Sequence, residues 1–203
     1  MTLLAVLDYG IGNLRSAQKA LQHVGADARL TNDRALIDDA DAVVLPGVGA
    51  FGRCMEALER TRLDEAARDA VASGKPFLGI CVGMQLLYDD SEEAPGRAGL
   101  GLLPGTVRSL PSGVKHPQMQ WNTIEITRPS PLLTDLPSEP WVYFVHSYAP
   151  DDSANATAVC DYGGKVVAAV EHANVLAVQF HPEKSAEVGL RILANFVRLV
   201  RSA

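Results

Sequence analysis

The chain has 203 residues, 47% hydrophobic and 21% charged, with a formal net charge of −6. That length supports one buried core, and an acidic balance without any Lys or Arg run longer than a pair excludes nucleic acid or an anionic membrane as main partner. No apolar run approaches the ~20 residues of a membrane helix, "MTLLAVLDYG" lacks the marks of a signal peptide, and three cysteines without a CxxC pair point to a reducing cytoplasm rather than disulfides or a zinc site.

At the N-terminus, "LLAVLDYG" reads as a buried parallel strand ending at Gly10. Leu14, Ala17, Leu21 and Val24 recur at spacings of three and four, which predicts a helix capped by Asn13 and stopped at Gly25. "ADARLT" and "DAVVLPG" are the next strands, and "FGRCMEALERTRLDEAARDAVASG" is helical in two pieces, closing at Gly74 ahead of Pro76. "KPFLGI" is another buried strand, and "VGMQLLYDD" turns back into helix. Past the loop "DSEEAPGRAGLGLLPG", short strands take over: "TVRSL", "NTIEIT", "WVYFVHSY", "ATAVCDY", "KVVAAVEH" and "VLAVQF". A last helix runs from about Ala186 to Val200. Alternating strands and helices predict an α/β three-layer sandwich. Its central sheet is mostly parallel, with additional antiparallel strands in the C-terminal half. No repeat or long linker divides it, so residues 1–203 are expected to form a single domain.

The segment "GICVG" places Cys81 between Gly79 and Gly83, where a buried strand hands over to a helix. This is the G-x-nucleophile-x-G pattern with cysteine in the serine position. Such a corner strains the nucleophile's backbone, and flanking glycines admit neighbouring chain where a Cβ would collide. The start of a helix also favours thiolate over thiol. Buried cysteines and Gly-rich strand ends are common in their own right, so the assignment needs a base. Of the five histidines, His23 belongs to a helix surface, His116 and His172 to turn-like segments and His146 to a strand. His181 lies in "VQFHPEKS", before Pro182, and is expected to be extended. Residues two apart in extended chain share a side, which would bring Glu183 to the imidazole nitrogen facing away from the sulfur. In "LPGVGAF" two glycines expose backbone N–H groups ahead of a helix, an oxyanion-hole pattern. Gly49 or its neighbour would supply one donor and Val82 the other. No phosphate loop or dinucleotide fingerprint is present, and neither a cofactor nor a metal is expected.

"GICVGMQ", "QFHPEKS" and "PGVGAF" resemble the class I (triad-type) glutamine amidotransferases. "DYGIGNLRSAQKAL", Met84, "SEEAPG" and "PQMQWN" narrow the resemblance to the glutaminase subunits of imidazole glycerol phosphate synthase, from about Leu7 to Gly189. It implies a flavodoxin-like fold in which Cys81 attacks the side-chain amide of L-glutamine to form a thioester. His181 would shuttle the proton and Glu183 orient it. By the same match Gly47, Gln85 and the backbone of Ser147 and Tyr148 would hold the glutamine.

Ammonia must stay unprotonated to act as a nucleophile, and this chain has little length left for an acceptor site. The resemblance implies a heterodimer with a (β/α)8-barrel cyclase. That subunit converts phosphoribulosyl formimino carboxamide ribotide to imidazole glycerol phosphate and aminoimidazole carboxamide ribotide in histidine biosynthesis. Asn13, Met119, Trp121, Asn122 and Lys184 are the positions expected to face it, although Trp121 could equally be core and Lys184 a solvated charge. The pattern departs from the family at Gln120, usually glycine, and at Gln118, more often histidine. Three other readings compete: a glutaminase serving another synthetase, a non-catalytic module of the same fold, and a stand-alone cysteine hydrolase.

Overall fold

The apolar runs become the middle of one sheet: across Leu4–Leu7, Ala42–Leu45 and Val175–Val178 no residue is more than 2% exposed. A computed structural model describes residues 1–202. Its first half alternates β1 (Leu3–Leu7), α1 (Leu14–His23), β2 (Asp27–Thr31), α2 (Arg34–Asp39), β3 (Ala42–Gly47), α3 (Phe51–Arg60), α4 (Leu63–Ala72), β4 (Phe77–Cys81) and α5 (Val82–Gln85). The second half runs β5 (Asp90–Ser91), β6 (Thr106–Ser109), β7 (Gln118–Thr123), β8 (Glu125–Ile126), β9 (Trp141–His146), β10 (Tyr148–Pro150), β11 (Ala156–Asp161), β12 (Lys165–His172), β13 (Val175–Val178) and α6 (Ala186–Ser202).

Eight strands form the main sheet in the order β2-β1-β3-β4-β13-β12-β11-β8. The five from β2 to β13 are parallel, and β12, β11 and β8 continue antiparallel. The order reverses between β1 and β3, so the connections leaving those strands diverge to opposite faces if each crossover is right-handed. Accordingly α1 packs with α6, while α2 and α3 pack with α4. Each helix turns an apolar stripe to the sheet, such as Leu14, Ala17 and Leu21 of α1 or Ile192, Leu193, Phe196 and Val200 of α6. This is the expected α/β three-layer arrangement. Among the described residues no helix is long and apolar enough to cross a membrane.

The structure departs from the sequence expectations in several places. Helix α2 was not foreseen; Asp33 caps it by accepting from the Ala35 N–H at 3.0 Å. Asn13 does begin α1, but its side chain caps no backbone group and accepts instead from the Ser16 hydroxyl at 2.7 Å. The helix after Cys81 stops at Gln85, because the Leu86 and Leu87 carbonyls are taken by backbone N–H groups of Leu100, Leu102 and Leu103. "WVYFVHSY" divides at Ser147: β9 pairs with β7, and β10 with β6. Strand β7 begins at Gln118, four residues ahead of the expected start.

Close backbone contact fixes the corner after β4. A Cβ at Gly83 would overlap the Leu45 carbonyl oxygen, and one at Gly79 would sit 3.0 Å from the Met84 Cα. Gly83→Ala is therefore expected to destabilise the chain by about 2–3 kcal/mol in urea unfolding. An unchanged midpoint would mean that β3 and α5 do not touch there in solution.

Candidate active site

Cys81 ends β4 with φ 56° and ψ −115°, a region in which non-glycine residues are strained. The corner turns the side chain off the sheet's carboxyl edge and leaves the residue 2% exposed. Helix α5 behind it is a single turn, so its dipole is smaller than the sequence suggested. Beside it, the Gln179 amide donates toward Sγ across 3.9 Å.

His181 lies three residues past β13 with φ −100° and ψ 97°, the extended geometry that Pro182 demands. Pro182–Lys184 then forms one 3-10 turn, and this turn brings Glu183 round, where strand-like alternation had been expected. The imidazole Nδ1 lies 2.8 Å from Glu183 Oε1. The His181 N–H donates to the Tyr143 carbonyl at 2.9 Å, and Ser185 Oγ donates to the His181 carbonyl at 2.6 Å. A Cβ at Gly189 would overlap the Pro182 carbonyl, so α6 packs directly beneath the turn.

Burial opposes charge on His181, yet the Cys81 sulfur and the Glu183 carboxylate outweigh it and raise the ring from 6.5 to about 9. Nε2 makes no hydrogen bond, which leaves it free to take up or hand over a proton. Thiol and imidazole line one cavity of about 240 Å³. A larger hollow of about 500 Å³, near Arg108, Pro150 and Lys165, carries neither group.

The structure also brings the other expected site residues to this cavity or its wall. Val82, Gln85, Ser147, Tyr148 and Gly49 line it, and Gly49 has φ +102°. Gly47 lies just behind, where a Cβ would come 2.8 Å from both the Gly83 nitrogen and the Tyr9 hydroxyl. That hydroxyl donates to the Pro46 carbonyl at 2.7 Å and braces the end of β3. Gln85 Nε2 donates to the Tyr148 carbonyl at 2.9 Å and to Gln179 Oε1 at 3.0 Å.

Three contributors were missed. Glu93 lines the cavity and accepts from the Phe51 N–H at 2.8 Å, a role that "SEEAPG" does not announce. Gln179 sits two residues before His181, and nothing in its local sequence signals its contact with the sulfur. His146 was weighed as a base, whereas it lies in the wall with both ring nitrogens engaged.

The residues expected at a partner surface divide. In the β7–β9 ribbon, Met119, Trp121 and Thr123 pair with Val145, Tyr143 and Trp141 and share one face. Met119, Trp121 and Trp141 are 60%, 45% and 50% exposed, forming an apolar stripe that reaches the cavity at Val145. Asn122 is on the other face and donates to the Asp161 carbonyl at 2.9 Å. Lys184 is exposed, and Asn13 is half-buried against Gly47 and Glu183. Among the described residues no group of three His, Cys, Asp or Glu is placed to hold a metal ion.

A raised imidazole pKa stabilises the fold fully below about 6.5, and that contribution is lost as pH rises through about 9. Glu183→Gln removes one of the two groups that raise it. Histidine NMR titration is expected to show the His181 midpoint falling below about 9, with the alkaline stability loss moving down in step. An unmoved midpoint would mean that the carboxylate does not act on the ring.

The glutamine amidotransferase class-I family model matches residues 5–200. The imidazole glycerol phosphate synthase subunit HisH of Symbiobacterium thermophilum is 48% identical over 202 residues, covering 98% of this chain and 95% of that protein. The HisH subunit of Methanothermobacter thermautotrophicus is 48% identical over 201 residues, covering 98% and 100%. Among solved structures, PurLQS from Thermotoga maritima superposes with a TM-score of 0.77 at 21% identity, covering 98% of each chain, a likeness of fold. With its thiol, imidazole and carboxylate on the carboxyl edge of such a sheet, the chain belongs to the class I glutamine amidotransferase family.

Proposed function

We propose that the chain is the glutaminase subunit of imidazole glycerol phosphate synthase and works as one amidotransferase unit in the cytoplasm. The observation that carries the chemistry is that Cys81 and His181 line one cavity while Glu183 holds the far nitrogen of the imidazole at 2.8 Å. Identity of 48–49% over nearly the full length with several HisH subunits supports the pathway. Three buried, unpaired cysteines suit a reducing compartment.

The geometry supports the following cycle. The Cys81 thiolate adds to the glutamine side-chain carbonyl, and the oxyanion forms against backbone N–H groups of Val82 and Gly49. His181 gives its proton through Nε2 to the departing nitrogen, and ammonia leaves as the thioester forms. The same nitrogen then takes a proton from water, whose oxygen attacks the thioester and releases glutamate. Glu183 holds the ring through Nδ1 throughout. Gln85, Gly47 and the Ser147–Tyr148 backbone hold the substrate, and the Glu93 carboxylate offers a counter-charge for its α-ammonium.

The ammonia is used on a (β/α)8-barrel cyclase subunit. Support for that docking comes from the apolar stripe of Met119, Trp121 and Trp141, which reaches the cavity at Val145; Asn13 lies beside Glu183, and Lys184 is exposed next to it in sequence. Cys81→Ala is expected to lower glutamine-dependent synthesis by at least about 10³-fold in the assembled enzyme. Ammonia-dependent synthesis on the partner should persist, and loss of both activities would sink the assignment. Trp121→Ala should weaken the complex roughly tenfold in calorimetric titration, as removal of a large aromatic anchor does. Unchanged affinity would move the interface elsewhere.

A further inference from the structure

A neutral imidazole has one N–H and one lone pair, yet at His146 both ring nitrogens face acceptors. Nδ1 is 2.8 Å from the Tyr148 carbonyl oxygen, and Nε2 is 2.9 Å from the oxygen end of the Gln118 side chain. A backbone carbonyl cannot donate, so Nδ1 must carry the proton. Nε2 then requires either a second proton or a donor. Burial pushes the ring from 6.5 down to about 4, against the pull of the Tyr148 carbonyl and with help from nearby His181. Burial therefore disfavours a second proton at neutral pH.

Amide oxygen and nitrogen are distinguished by their partners. Turned over by 180°, the Gln118 carboxamide donates to Nε2, and its oxygen takes the position 4.0 Å from Cys160 Sγ. The buried Cys160 thiol, its pKa pushed up to about 11, keeps a proton to give. Every link onward then has a direction. The Tyr148 carbonyl accepts from His146 and also from Gln85; the second Gln85 proton goes to Gln179 Oε1, and Gln179 Nε2 points at the Cys81 sulfur.

We propose that Gln118 and His146 are positioning residues for the reaction. The Gln118 amide donates to the Nδ1–H tautomer of His146, which pins the Tyr148 carbonyl and, through Gln85 and Gln179, the substrate wall beside Cys81. The kinetic part of this rests on the glutaminase reading above; the tautomer does not.

Two measurements test it. Nitrogen NMR on the histidine-labelled full chain at neutral pH should show His146 protonated at Nδ1 and bare at Nε2. A doubly protonated ring, or a proton on Nε2, overturns the assignment. Gln118→Met keeps the length and removes the amide. In the complex with the cyclase it is expected to lower kcat/KM for glutamine about tenfold, carried by KM, as loss of a buried hydrogen bond does. An unchanged kcat/KM, or a fall in kcat at constant KM, overturns the positioning role. The NMR result is obtained without turnover and stands even if the variant fails to fold. A wrong glutaminase reading would show separately, as no hydrolysis by the unaltered complex.

Discussion

Backbone meets backbone where β3, β4 and α5 converge, and the site depends on that contact. Gly83 closes on the Leu45 carbonyl, Gly79 on Met84, and Gly47 on both Gly83 and the Tyr9 hydroxyl. Side chains at any of the three would wedge the strands and helix apart. With them absent, the chain makes a corner tight enough to hold Cys81 at φ 56°. The strain is local, while the restraint is spread through neighbours packed at the density of a crystal interior. Precision at one sulfur is thereby drawn from the whole parallel half of the sheet.

Electrostatics then divides two imidazoles that share a cavity. His181 faces a sulfur and a carboxylate and is raised to about 9; His146 faces uncharged amides and a carbonyl and is lowered to about 4. Burial works against charge on both rings; it prevails at His146, whereas the sulfur and the carboxylate outweigh it at His181. One ring suits proton traffic, and the other suits a fixed tautomer. The distinction depends on the groups beside each ring: Glu183, two residues on, beside one, and Tyr148, two residues on, with the distant Gln118 around the other.

Much of this was legible in the chain. Continuous apolar runs marked buried parallel strands, and Gly-x-Cys-x-Gly after one of them marked the corner. What stayed hidden was decided by long-range contact. The single-turn length of α5 follows from carbonyls claimed by Leu100–Leu103, which local periodicity cannot show. The split after His146 follows from two different pairing partners for one apolar run. Glu183 arrives by a 3-10 turn where alternation along a strand was expected, so the pairing was right in its residues and different in its geometry. Gln179, in a strand-end position that reads as ordinary packing, acquires its contact with the sulfur only when β13 lies beside β4.

That neighbour has a further implication. Strand β4 is flanked by β3, made shortly before it, and by β13, made almost a hundred residues later. The imidazole follows β13, so a growing polypeptide carries its thiol without that ring until the final strand slots into the gap. A chain ending before β13 would hold the sulfur without that ring, since a pairing so distant in sequence forms only after the long intervening loop has closed.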